Sequence, residues 1–285
     1  MKLLLVGDSH TNILRVDGVT ETFYKTHPLT IKDFDEDDSW CWPELDLFLK
    51  QHTVVGNDTM ILCTGEVDIR AHYWKHIIEY VAKGGTVQHY MQDKAHTLYN
   101  AIKRCISDYN LKQVTLWGPP PIPAFRAFDP PWPFVGSVPT RNILIHMFNK
   151  AFIKEIENDN SVRFASAFYH FMDQSTYMAS SNVSEDGTHY AEEHTNLCWE
   201  LISPTIIGQK LVKTGEIKDN QFKIESVKVK KTLSHHSWVL ADDLVAKKTD
   251  ARSATINGKE YHYTLVTNES DWPEEYHELC LVPVL

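Results

Sequence analysis

Leu3-Leu4-Leu5-Val6-Gly7-Asp8-Ser9-His10 sets four apolar residues against an abrupt Gly-Asp turn. A short apolar run bounded by a turn signal reads as a strand buried on both faces. It is too short for the apolar core of a secretory leader, so no signal peptide is expected. Working outward, Thr59 to Cys63, Gln113 to Trp117 and Val162 to Ala165 have the same texture. Between these runs the apolar period changes to that of helices. Residues 70 to 82 place Ala71, Trp74, Ile77, Ile78 and Val81 on one face, and Gly84-Gly85 supplies a stop. Residues 94 to 107 repeat the pattern with Ala95, Leu98, Ala101, Ile102 and Cys105, and residues 139 to 157 with Ile143, Met147, Phe148, Ala151, Phe152 and Ile156. A fourth helix is expected from His189 to about Ile202. Strand and helix alternating over 200 residues predict an α/β fold with a parallel sheet covered on both faces.

From about residue 204 the texture changes. Residues 221 to 231 alternate apolar and charged, and Ala254 to Ile256, Asn257-Gly258 and Tyr261 to Val266 read as a hairpin. The expected organisation is a large domain over residues 1–203 and a small β-rich module over 204–285.

Composition narrows the function classes. With 42% hydrophobic residues and eight tryptophans in 285 residues, the chain can bury a core without metal or disulfide staples. Five scattered cysteines without a CxxC pair signal no disulfide framework and fit a reducing, cytoplasmic setting. No stretch approaches the roughly 20 apolar residues of a membrane span. The net charge of -10 is concentrated in residues 1–203, which hold 17 Lys/Arg against 26 Asp/Glu, and such a surface repels phosphate backbones. Neither nucleic acid nor membrane is therefore an expected partner. Asp33, Asp35, Glu36, Asp37 and Asp38 read as a solvated loop, since no calcium-loop spacing accompanies them. No metal or other cofactor is expected.

Parallel sheets bind ligands where their strands end at the carboxyl side. Here the strand exits are Gly7-Asp8-Ser9-His10, Thr64-Gly65-Glu66-Val67-Asp68 and Gly118-Pro119-Pro120-Pro121, which should meet at one rim. Farther along, Glu185-Asp186-Gly187-Thr188-His189 places an Asp three residues before a His at the mouth of an expected helix. In that spacing the Asp186 carboxylate can hold Nδ1–H of His189 while Nε2 faces a nucleophile, and Ser9 supplies the hydroxyl. A plainer reading makes Asp186 a helix cap and His189 a solvated loop residue. The GxSxG elbow, HExxH and SxxK are absent.

Gly7-Asp8-Ser9 after the first strand, Gly65-x-x-Asp68 after a central strand and Asp186-x-x-His189 before the last helix resemble blocks one, three and five of the SGNH/GDSL hydrolases. The resemblance spans residues 1 to about 203. It implies a flavodoxin-like three-layer sandwich and cleavage of carboxylic esters, often acetyl groups on sugars, with Ser9, His189 and Asp186 as triad. Two departures stand out. Position 67 is Val where the family's oxyanion Asn is usual, and residues 30 to 50 hold no clear block-two Gly. The longer string Gly65-Glu66-Val67-Asp68-Ile69-Arg70 resembles a bacterial and phage-type subgroup found near surface-polysaccharide genes, which also has a proline run, an Arg and a Phe-Asn pair matched here by Gly118 to Pro121, Arg141 and Phe148-Asn149.

In that light Arg70, or backbone N–H groups of Ser9 and Gly65, would replace the missing Asn. Glu66 and Arg70 read equally well as an ion pair bracing the turn. The aromatic loop from Pro119 to Pro139, with Trp132, is either a lid suited to sugar rings or a cover on the core. The expected partner is a small-molecule or glycan ester. A transferase using the same triad, and a non-catalytic glycan-binding scaffold, are the alternative readings.

Overall fold

The computed structural model describes residues 3–23, 29–35, 39–52, 58–122, 138–173, 177–180, 182–184, 188–206, 225–230, 237–240, 245–248, 253–256, 259–265 and 276–283. Five strands, β1 (Leu3–Gly7), β2 (Thr20–Phe23), β3 (Thr59–Cys63), β4 (Gln113–Trp117) and β5 (Val162–Ala165), form one sheet in the order β2-β1-β3-β4-β5. Every pairing is parallel. This 2-1-3-4-5 order is that of flavodoxin-like doubly wound sheets, which place their ligand crevice at the β1/β3 switch point.

The two-residue period of a strand divides the core between the faces. Leu4, Val6, Met60, Leu62, Val114, Leu116, Val162 and Phe164 point to one side. There they meet α2 (Cys41–His52), α3 (Tyr73–Ala82), α4 (Val87–Tyr109) and α5 (Val138–Glu155). Leu3, Leu5, Ile61, Cys63, Trp117 and Ala165 point to the other, against the 3-10 turn Ser9–Leu14 and α7 (Thr195–Ile206). Burial on both faces explains why these strands read as unbroken apolar runs. The result is a three-layer α/β sandwich, as the sequence predicts.

Helix α4 shows why the pattern was readable. Thr86 caps it by accepting from His89 N–H, apolar residues recur down one face to Cys105, and Asn110 ends it with φ of 49°. Helix α7 runs to Ile206 and is tied to the sheet, since Gln113 Nε2 donates to the carbonyls of Thr205 and Ile206 at 2.8 and 3.2 Å. On α5, the Asn142 amide accepts from Ile122 N–H at 2.7 Å and donates to the carbonyls of Ile122 and Tyr177 at 3.0 and 2.9 Å. It thereby fixes the chain leaving β4.

The expected acidic loop is corrected in part. Asp33 and Asp35 lie on a short helix, α1 (Ile31–Asp35), where Asp33 accepts from Thr30 N–H and Asp35 pairs with Lys94. Residues 36–38 lie outside the described residues. Among the described residues no helix is long and apolar enough to cross a membrane. Cys41, Cys63, Cys105 and Cys198 are buried free thiols.

Beyond α7, six strands, β6 (Glu225–Lys230), β7 (Ser237–Leu240), β8 (Val245–Lys248), β9 (Ser253–Ile256), β10 (Lys259–Leu265) and β11 (Tyr276–Pro283), pair antiparallel into a closed barrel. Strands β9 and β10 are antiparallel with Ile256 opposite Lys259, and the turn expected at Asn257-Gly258 lies outside the described residues.

Candidate active site

The site is built where β1 and β3 end side by side. Gly7 pairs with Cys63, and Asp8 N–H donates to the Cys63 carbonyl at 3.2 Å. A Cβ on Gly7, whose φ is +151°, would stand 2.0 Å from that same carbonyl oxygen, so only glycine allows the approach. The strand register then carries Asp8 to His10 and Thr64 to Glu66 outward together.

Asp8 caps the 3-10 turn, its Oδ1 accepting from His10 N–H at 2.9 Å while its carbonyl accepts from Thr11 N–H. This turn directs Ser9 out of the sheet on the α7 side. His189 arrives from the segment preceding α7, and its Nε2 lies 2.6 Å from Ser9 Oγ across 180 residues of sequence. That is hydrogen-bond distance for a hydroxyl and the imidazole nitrogen that would take its proton.

Beneath this pair lies a row of buried charges that the sequence reading did not identify as a unit. The His10 ring stands 5.0 Å from the His189 ring, tilted by 45°. His10 Nε2 is 3.6 Å from Glu66 Oε2, and Glu66 receives two bonds from Arg70, Nε at 2.5 Å and Nη2 at 3.2 Å. His10, Glu66 and Arg70 are 5%, 2% and 3% exposed, so the Glu66 and Arg70 charges act in a medium that screens them poorly. Burial would raise the Glu66 carboxyl, but His10 and Arg70 outweigh it and hold it at about 2. Burial works against a proton on His10, yet Asp8 and Glu66 prevail and raise its proton affinity. Burial pushes Asp8 up. Glu66 is thus the firm anion of the row.

The other exits join the same rim. Gly65, with φ of +103°, sits so close to the β4 exit that a Cβ would lie 3.2 Å from Pro119 Cγ and 3.4 Å from Ile31 Cδ1. Thr64 Oγ1 donates to the Leu29 carbonyl at 2.7 Å. Asp68 turns away from Ser9 and accepts from the N–H groups of Ile31 at 2.8 Å and Lys32 at 3.4 Å, on the α2–α5 side of the sheet.

Of the residues singled out in the sequence, Ser9 and His189 are brought together, and Glu66 and Arg70 form the bracing ion pair. Gly65 lies at the rim. Asp186 and Trp132 lie outside the described residues, as does Asn57. His10 was missed because its partner is 56 positions away. The available signal was the pairing register, which puts both residues three steps past Gly7 and Cys63.

Among the described residues, no group of three His, Cys, Asp or Glu side chains is arranged to hold a metal ion. The sequence matches no family model, and no curated protein matches it. Thirteen solved chains are similar in structure. One, a candidate platelet activating factor from Streptococcus pneumonia, is 15% identical with a TM-score of 0.47, covering 72% of this chain and 83% of its own. Another, a candidate SGNH hydrolase from Slackia heliotrinireducens, is 10% identical with a TM-score of 0.43, covering 72% and 98%. A catalytic mutant of an acetylxylan esterase from Geobacillus stearothermophilus is 12% identical with a TM-score of 0.43, covering 75% and 97%.

Proposed function

We propose that this chain is a serine-dependent carboxylic ester hydrolase of the SGNH/GDSL type, with Ser9 as nucleophile, His189 as general base and Asp186 as the carboxylate that orients the imidazole. The observation that carries the reading is the 2.6 Å contact between Ser9 Oγ and His189 Nε2, made at the carboxyl rim of a parallel sheet. In this mechanism Ser9 attacks the ester carbonyl as His189 takes its proton. The His189 imidazolium then protonates the departing alkoxide, leaving an acyl-enzyme that water resolves by the same proton path.

The missing block-three Asn has a cost. A single oxyanion donor typically contributes about 3 to 4 kcal/mol, so another donor must face the developing charge. Arg70 spends Nε and Nη2 on Glu66, which favours the backbone N–H groups of Ser9 and Gly65 for that task. Gly65 needs no side chain there, and its φ of +103° and the Pro119 ring 3.2 Å from a would-be Cβ disfavour one. An O-acetylated glycan is the substrate class that the motif resemblance favours.

Hydrolysis of p-nitrophenyl acetate tests the reading. Ser9→Ala should lower turnover by at least about 1,000-fold, the scale on which removal of a catalytic serine acts. Turnover equal to that of the parent chain would end the proposal.

A further inference from the structure

We propose that His10 is a positioning residue of the candidate active site, its ring forming the wall that keeps the His189 imidazole turned toward Ser9; the proposal rests on the esterase reading. A general base must be held within a few tenths of an ångström and a narrow range of angle to act. Histidine is poorly suited to hold itself, because the torsion that rotates its ring is soft. A carboxylate at Nδ1 fixes one point of the imidazole and leaves the ring free to tilt about that bond, so a second restraint must act on its plane. The His10 ring is placed to supply it. Its centroid stands 5.0 Å from that of His189 with the planes tilted by 45°, inside the range of about 4.5 to 7 Å over which aromatic rings pack.

A wall is useful only if it is itself fixed, and His10 is held at both ends. Its backbone N–H donates to Asp8 Oδ1, which sets the turn that carries Ser9 and His10 together. At the far edge of the ring, Nε2 faces Glu66 Oε2 at 3.6 Å, longer than a hydrogen bond but close enough for electrostatic attraction to set the ring's plane. Glu66 cannot swing away, because Arg70 grips both its oxygens through Nε and Nη2. Glu66 and Arg70 offset each other's charge, so the row presents His189 with a rigid neighbour rather than a strong net field. Packing alone does not call for a histidine at this position. Nδ1 of His10 is buried with no hydrogen-bond partner among the described residues, a cost that a hydrocarbon ring would avoid. The polar edge on Glu66 and the ring face beside His189 are what the residue contributes in return.

The rate at which a fluorophosphonate probe labels Ser9 in the full chain tests this, while the fraction labelled after long incubation counts the folded molecules. His10→Leu fills the space without a flat ring. It should slow labelling about 10- to 100-fold, the scale on which a small misplacement of a reacting group acts, and leave the final labelled fraction at the parent value. His10→Phe again sets a ring beside His189 but lacks the polar edge, and should label at least about threefold faster than His10→Leu. Labelling of His10→Leu at the parent rate, whether the labelled fraction is full or reduced, would overturn the proposal, since loss of folded molecules alone lowers the fraction and not the rate. A His10→Phe protein as slow as His10→Leu would overturn it as well. A parent chain that never labels would instead end the esterase reading, and this proposal with it, so the two failures are distinct.

Discussion

At the residue scale, the candidate site depends on charges that water cannot reach. Glu66 joins His10 to Arg70, so replacing it strips the buried Arg70 guanidinium of its anion and His10 of its acceptor. Breaking a buried pair from one side costs about 3 to 5 kcal/mol, and Glu66→Gln is expected to lose that much stability at neutral pH. The pH dependence has a definite sign. The folded carboxyl is held at about 2, below its ordinary 4.5, so its contribution is full above about 4.5 and is lost as pH falls toward 2. Denaturant titrations at about pH 7 and about pH 3 should show the Glu66→Gln deficit shrinking in acid. A deficit that grows in acid, or none at neutral pH, would contradict the assignment of Glu66 as the firm anion.

At the scale of elements, the four strands β1, β3, β4 and β5 were legible because each is buried on both faces and ends at a turn residue. Strand β2 was not. Its sequence, Thr20-Glu21-Thr22-Phe23, buries only Phe23, which is the signature of an edge whose pairing with β1 is a tertiary matter. The turn after β3 shows a second limit. Asp68 reads as part of a catalytic block, yet its carboxylate caps α1 by reaching back 37 residues to Ile31. Burial raises that carboxyl from 3.8 to about 7. Its stabilising contribution is therefore full below about 3.8 and disappears as pH rises through 7. Asp68→Asn should flatten the decline in stability between about pH 4 and about pH 7, a change on the order of a few kcal/mol. Thermal unfolding across that interval measures it, and an unaltered slope would show that Asp68 is ionised throughout.

At the scale of the whole molecule, the three-layer architecture was readable from alternation alone, while the site was readable only through its motifs. Ser9 and His189 could be named from short strings, but the 180 residues between them are closed by the sheet order and by α7. Among the described residues, the strands after residue 224 pair with one another, and α7 continues to Ile206, past residue 203. We therefore expect a chain ended after residue 206 to keep the cooperative unfolding of the sandwich. A chain ended after residue 203 would lose the Thr205 and Ile206 carbonyls that Gln113 binds, and should be less stable by about 1 to 3 kcal/mol. Equal stability of the two truncations would show that this anchor is dispensable.

The central claim is that Ser9 is a nucleophile activated by His189. Incubation with a fluorophosphonate probe at neutral pH, followed by mass analysis of the peptides, tests it most directly. The account predicts one covalent adduct, on Ser9, that His189→Ala reduces to background. An unlabelled Ser9 in the folded parent chain, or labelling that persists undiminished in His189→Ala, would contradict it.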